Sequence, residues 1–126
     1  MSAKKKRVLV VDDEPDLLEV LNLYISASGF EVEQANCGNE ALTRLKNSSL
    51  PIFDWILTDM RMPNGSGLDL LHGLKAIEFK TRPQVLVVSG YADVSEQDVI
   101  KLGAFGLLTK PVNFSKLIAI LGASVS

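Results

Sequence analysis

Acidic side chains that follow short apolar runs are the residues in this sequence that could do chemistry. Asp12-Asp13-Glu14 comes directly after Val8–Val11, and Asp59 directly after Phe53–Thr58 (FDWILT). Ser89 closes Gln84–Ser89 (QVLVVS), and Lys110 follows a run that ends in Thr109. Carboxylates brought together repel, and each tends to keep a proton unless a cation sits among them. With oxygen donors and no His or Cys beside them, a hard divalent ion, Mg²⁺, suits such a group. Mg²⁺, a lysine ammonium and a hydroxyl around one carboxylate suit charge stabilisation on a phosphoryl group, with Asp59 as the nucleophile. Each residue also has a plainer use. Acids before a helix complement its dipole, Asp59 can open a turn, Ser89 can satisfy a loop amide, and Lys110 can be a solvated surface lysine. Their placement at the ends of different strands is what points to phosphoryl-acceptor chemistry.

That placement depends on the elements. Arg7–Val11 (RVLVV) is a β-branched run too short for a helix and reads as a strand buried on both faces. Pro15 sits where a helix would start. Asp16–Ser28 follows, with Leu17, Leu21 and Tyr24 on one stripe and Gly29 placed as its C-terminal cap. The further strands are expected at Phe30–Ala35, Phe53–Thr58, Gln84–Ser89 and Phe105–Thr109. The further helices are expected at Asn39–Lys46, Leu68–Ile77, Ser95–Leu102 and Phe114–Leu121. Pro63-Asn64-Gly65-Ser66-Gly67 is a loop by its turn chemistry. Strands alternating with helices imply an α/β, doubly wound parallel sheet covered on both faces. Ligands of such sheets gather beyond the carboxyl ends of the strands, where the acids, Ser89 and Lys110 fall.

The chain has 126 residues, a net charge of −2 and 47% hydrophobic residues. That suits one domain with a real core and excludes global disorder. The longest charge-free stretch, Val20–Phe30, has 11 residues, against the roughly 20 that a membrane span needs. Lys4-Lys5-Lys6-Arg7 precedes an apolar run too short for a signal core and reads as a solvated tail. The near-neutral charge gives no argument for nucleic-acid binding. The single Cys37 cannot form an internal disulfide, and the compartment expected is the cytoplasm. No repeat or linker divides the chain, so one domain is expected over 1–126, with its core at about 7–121.

The segments VLVVDDEP (8–15), LTDMRMPNGSG (57–67), VVSG (87–90) and LTKP (108–111) together resemble the receiver domain of two-component response regulators. The resemblance covers about Arg7 to Leu121. It implies a flavodoxin-like fold of five parallel strands in the order 2-1-3-4-5, flanked by five helices. It implies that Asp59 takes a phosphoryl group from a histidine kinase or a histidine phosphotransfer protein. Asp13 would bind Mg²⁺ directly, Asp12 largely through water, and the backbone carbonyl of Arg61 would complete the protein ligands with Asp59. Lys110 would pair with the phosphoryl oxygens, and Ser89 would move to hydrogen-bond one of them. The Lys110-Pro111 bond would be cis. The family often pairs through the face of helix four, strand five and helix five. Its members are not enzymes in the usual sense but assist their own phosphorylation and dephosphorylation. A stand-alone receiver, or one cut from a regulator with an output domain, fits the chain.

Leu107 departs from the family pattern, which usually has an aromatic residue there, three positions before the lysine. The Ser89-to-Lys110 interval is also one residue shorter than the family's. Both changes touch the surface used for output. Arg61 and Tyr91 lie two residues past Asp59 and Ser89 and are expected to shield an acyl phosphate from water. Trp55 is expected in the core, and Met60 and Met62 as loop packing groups. His72, the only histidine, lacks the helical-bundle setting of a phosphohistidine. The competing readings are a degenerate receiver that docks partners without phosphorylation, an aspartyl phosphatase and a flavin-binding domain. The phosphatase would want an acid where Arg61 stands, and the acidic loop would repel a flavin's phosphate.

Overall fold

The computed structural model describes residues 5–46, 53–79, 81–90 and 94–122. Along the chain come β1 (Arg7–Val11), α1 (Pro15–Ala27), β2 (Glu31–Ala35), α2 (Gly38–Lys46) and β3 (Trp55–Asp59). They are followed by α3 (Gly67–Lys75), β4 (Gln84–Ser89), α4 (Glu96–Lys101), β5 (Gly106–Thr109) and α5 (Phe114–Gly122). The strands form one parallel sheet in the order β2-β1-β3-β4-β5. Both the expected architecture and the order taken from the resemblance are found.

Alternation along the strands divides the core into two layers. Val8 and Val10 of β1, Trp55 and Leu57 of β3, and Leu86 and Val88 of β4 pack with Leu18, Leu21 and Ile25 of α1 and Leu117 and Leu121 of α5. Leu9, Val11, Ile56, Val85 and Val87 pack with α2 and α3 and with Val99 of α4. Because both faces are covered, the inner strands are apolar at nearly every position and show no alternation in sequence.

Several element ends differ from expectation because distant partners set them. Gly29 has φ of 101°, and its N–H donates to Ser26 O while the Phe30 N–H reaches Ile25 O. These are the two hydrogen bonds of a Schellman motif, so the Phe30 amide closes α1 and β2 begins at Glu31. Helix α3 stops at Lys75, before the expected Ile77. The Arg82 guanidinium donates to Leu74 O at 2.7 Å and to Ile77 O at 2.9 Å, which satisfies the end of the helix. Arg7 is not part of a solvated tail. Its guanidinium lies over the Phe53 ring and donates to Glu33 on the neighbouring strand. Lys4 and Tyr91 lie outside the described residues.

Candidate functional site

Four strands deliver the candidate side chains to one end of the sheet. Asp12 follows β1; its N–H extends the ladder to Ala35 O, and its Oδ1 accepts the Glu14 N–H at 2.9 Å. Asp59 is the last residue of β3, and its Oδ1 accepts the Met60 N–H at 2.8 Å. Ser89 ends β4 and is buried. Lys110 follows β5, its N–H donates to Ser89 O at 2.9 Å, and its bond to Pro111 is cis.

Lys110 Nζ lies 3.2 Å from Asp59 Oδ2 and 3.7 Å from Glu14 Oε1. One ligand oxygen each from Asp12, Glu14 and Asp59 lies within 4.8 Å of the others. Asp12 is only 3% exposed. Burial drives its pKa from 3.8 to about 6; the Asp59 charge adds to the rise, while the Glu14 N–H and the Lys110 ammonium oppose it. Burial also works against the Lys110 ammonium, but Asp59, with help from Asp12 and Glu14, outweighs it and holds the lysine above its ordinary value. Carboxylates at this separation, one of them costly to ionise, fit a hard divalent cation with oxygen donors.

The loop after Asp59 is pinned by backbone contacts. Gly67 N–H donates to Met60 O, Gly38 N–H to Gly65 O, and Asn39 N–H to Asn64 O. Asn64 and Gly65 take positive φ, 60° and 117°. A Cβ on Gly67 would lie 2.7 Å from Asp59 O, so glycine there lets α3 start against the acceptor's own backbone. The α3 N-terminus is closed by a reciprocal capping box between Ser66 and Asp69.

The structure therefore brings Asp12, Asp59, Ser89 and Lys110 to one end of the sheet. Asp13 is exposed and outside the group of three carboxylates; Glu14 stands in it. The resemblance assigned Glu14 no role, although it was present in the acidic run after β1. Arg61 is exposed, Met60 and Met62 are buried under the loop, and Leu107 is half-buried on β5. His72 is exposed on α3, and Cys37 is a free, half-buried thiol before α2.

The sequence matches the family described as response regulator receiver domain over residues 8–122. It is 36% identical over 113 residues to response regulator protein PilR of Pseudomonas aeruginosa, covering 90% of this chain and 24% of that protein. It is 35% identical over 119 residues to transcriptional regulatory protein KdpE of Mycobacterium tuberculosis, covering 94% of this chain and 50% of that one. A response regulator receiver protein from Pseudomonas putida superposes with a TM-score of 0.83 at 36% identity, covering 95% of this chain and 98% of the other. The chain belongs to the response regulator receiver domain family of two-component signalling. It spans about a quarter to a half of the length of these curated relatives. Among the described residues, no helix is long and apolar enough to cross a membrane.

Proposed function

We infer that this receiver is a phosphoacceptor, taking a phosphoryl group on Asp59 from a histidine kinase or histidine phosphotransfer protein in the cytoplasm. The observation that carries the reading is the 3.2 Å approach of Lys110 Nζ to an Asp59 carboxylate that sits beside two further carboxylates. An Asp59 oxygen bonds to phosphorus as the phosphorus–nitrogen bond of the donor breaks, and the freed imidazole leaves with the nitrogen's electron pair. The Lys110 ammonium pairs with the phosphoryl oxygens, and the Ser89 hydroxyl donates to one of them. Asp12 and Asp59 of the carboxylate group, with Asp13 and the Arg61 carbonyl that the resemblance adds to them, would hold Mg²⁺, which when bound offsets the charge that accumulates on the phosphoryl group. Nothing in this scheme turns over a separate substrate; the domain assists only its own modification.

We read residues 1–126 as one receiver domain that acts through a downstream protein or output domain, without contacting nucleic acid or membrane itself. A second copy would pair through α4, β5 and α5, where Ile100 and Phe105 are exposed. Arg61 and Tyr91 would shield the acyl phosphate, so Arg61→Ala and Tyr91→Ala should speed its loss; unchanged rates would refute that role. The test of the main reading is intact mass after incubation with Mg²⁺ and acetyl phosphate. One added phosphoryl group is expected, absent from Asp59→Ala and in chelator. No gain would favour the second reading, a phosphorylation-independent docking module, for which Leu107 in the aromatic position is the supporting observation.

A further inference from the structure

The position that lacks the family's aromatic side chain carries a different contact. The Leu107 backbone N–H donates to the Glu96 carboxylate of α4 at 3.2 Å. β5 is an edge strand of the sheet. Amide directions alternate along a strand, and the Lys110 N–H faces β4 through Ser89 O. Three residues earlier, the Leu107 N–H must face the open edge, and Glu96 closes that edge. Gly106 leaves room for the approach, because a Cβ there would crowd Glu96 Oε2 at 3.0 Å.

Helix α4 is otherwise lightly held. It has 6 residues, and Val99 is its only buried one. Its first turn is closed locally, with Ser95 Oγ accepting the Asp98 N–H. The flanking Val94 and the C-cap Leu102 also rest, partly buried, on the core, so the exposed first turn that carries Glu96 is the part of α4 with the most room to shift. Ser89 ends β4 only six positions before the Ser95 cap, and its carbonyl also carries the Lys110 amide. Displacement of Ser89 therefore acts on β5 across the ladder, on the strand that carries Leu107.

We propose that the Glu96–Leu107 contact is a latch between α4 and β5, closed in the unmodified chain and opened when Ser89 is drawn toward a phosphoryl group on Asp59. The opened state frees a backbone amide of β5 and releases α4, replacing the movement of a ring by the release of a helix end. This rests on the phosphoacceptor reading. Linkage makes the effect reciprocal, so weakening the latch favours the phosphorylated state.

Residue-resolved amide exchange by NMR tests it, with intact mass recorded on the same samples. Glu96→Ala should speed exchange of the Leu107 amide about five- to tenfold and leave Leu108, whose N–H faces β4, unchanged. Gly106→Ala, which crowds the carboxylate without removing its charge, should speed Leu107 exchange in the same direction by a smaller factor. Acetyl phosphate with Mg²⁺ should bring the wild-type Leu107 amide to the variant rate and change nothing further in Glu96→Ala. Equal Leu107 rates in wild type and Glu96→Ala would remove the closed latch. A chain carrying the phosphoryl group by mass, with Leu107 exchange unmoved, would refute its opening while leaving the acceptor reading intact. Absence of the phosphoryl group by mass would instead bring down the acceptor reading and the switch with it, and the comparison of wild type with Glu96→Ala would still decide whether the contact forms.

Discussion

Replacing Asp12 by Asn should stabilise the domain in metal-free buffer, and the gain should depend on pH. Asp12 is 3% exposed and ionises in the fold at about 6 instead of 3.8. Below pH 4 the carboxyl is protonated in both folded and unfolded chains and contributes no difference. Between the two values the folded chain binds the extra proton, so stability falls as pH rises; above about 6 the whole penalty is present. At about 1.4 kcal/mol per pH unit, that penalty is about 3 kcal/mol. Asn keeps an oxygen to accept the Glu14 N–H and has no charge to bury. Urea unfolding in chelator at a series of pH values is the assay. The variant should exceed wild type by about 3 kcal/mol at pH 7.5, or about 10 °C in Tm, with the difference vanishing near pH 4. Saturating Mg²⁺ should narrow the gap at pH 7.5 by stabilising wild type more than the variant. A wild type at least as stable as Asp12→Asn at pH 7.5 in chelator, or a difference that is flat in pH, would refute the reasoning.

Three further outcomes are expected. Lys110→Ala, which removes the ammonium 3.2 Å from Asp59, should slow phosphoryl gain from acetyl phosphate about 100-fold, followed by intact mass; a rate within a factor of two of wild type would exclude the role given to it. Gly67→Ala places a Cβ against Asp59 O, so it should slow the same reaction while circular dichroism still reports a folded chain. Leu117→Ala empties a fully buried position of α5 and should cost about 2–5 kcal/mol in urea unfolding, with a loss under 1 kcal/mol counting against the packing described.

The strands were the most readable part of the sequence. Both β1 and β4 fall at their expected bounds because a short, continuous β-branched run buried on both faces has few other structures open to it. Topology then carried Asp12, Asp59, Ser89 and Lys110 to one end of the sheet, since residues that close parallel strands must share it. Helix ends were less readable. Arg82 caps the end of α3 from a separate segment, and a pattern of apolar positions holds no record of such a partner. The place of Glu14 beside Asp12 and Asp59 has a similar origin: once β1 ends, chain direction and side-chain torsions decide which acid faces Lys110. The Glu96–Leu107 contact joins residues 11 apart and needed the packing of α4 on β5, for which the sequence offered only the negative sign of a missing aromatic.

Trp55, the only tryptophan, opens β3 while Asp59 closes it. The four steps between them put about 13 Å between their Cα atoms. The ring is 2% exposed and meets Phe105 edge-on, with centroids 5.2 Å apart. The chain thus carries a native optical probe at the floor of the sheet, remote from the ions and ligands that enter at its mouth. Its emission should register loss of the fold and stay silent to metal binding, so unfolding and metal occupancy can be followed in one cuvette without cross-talk.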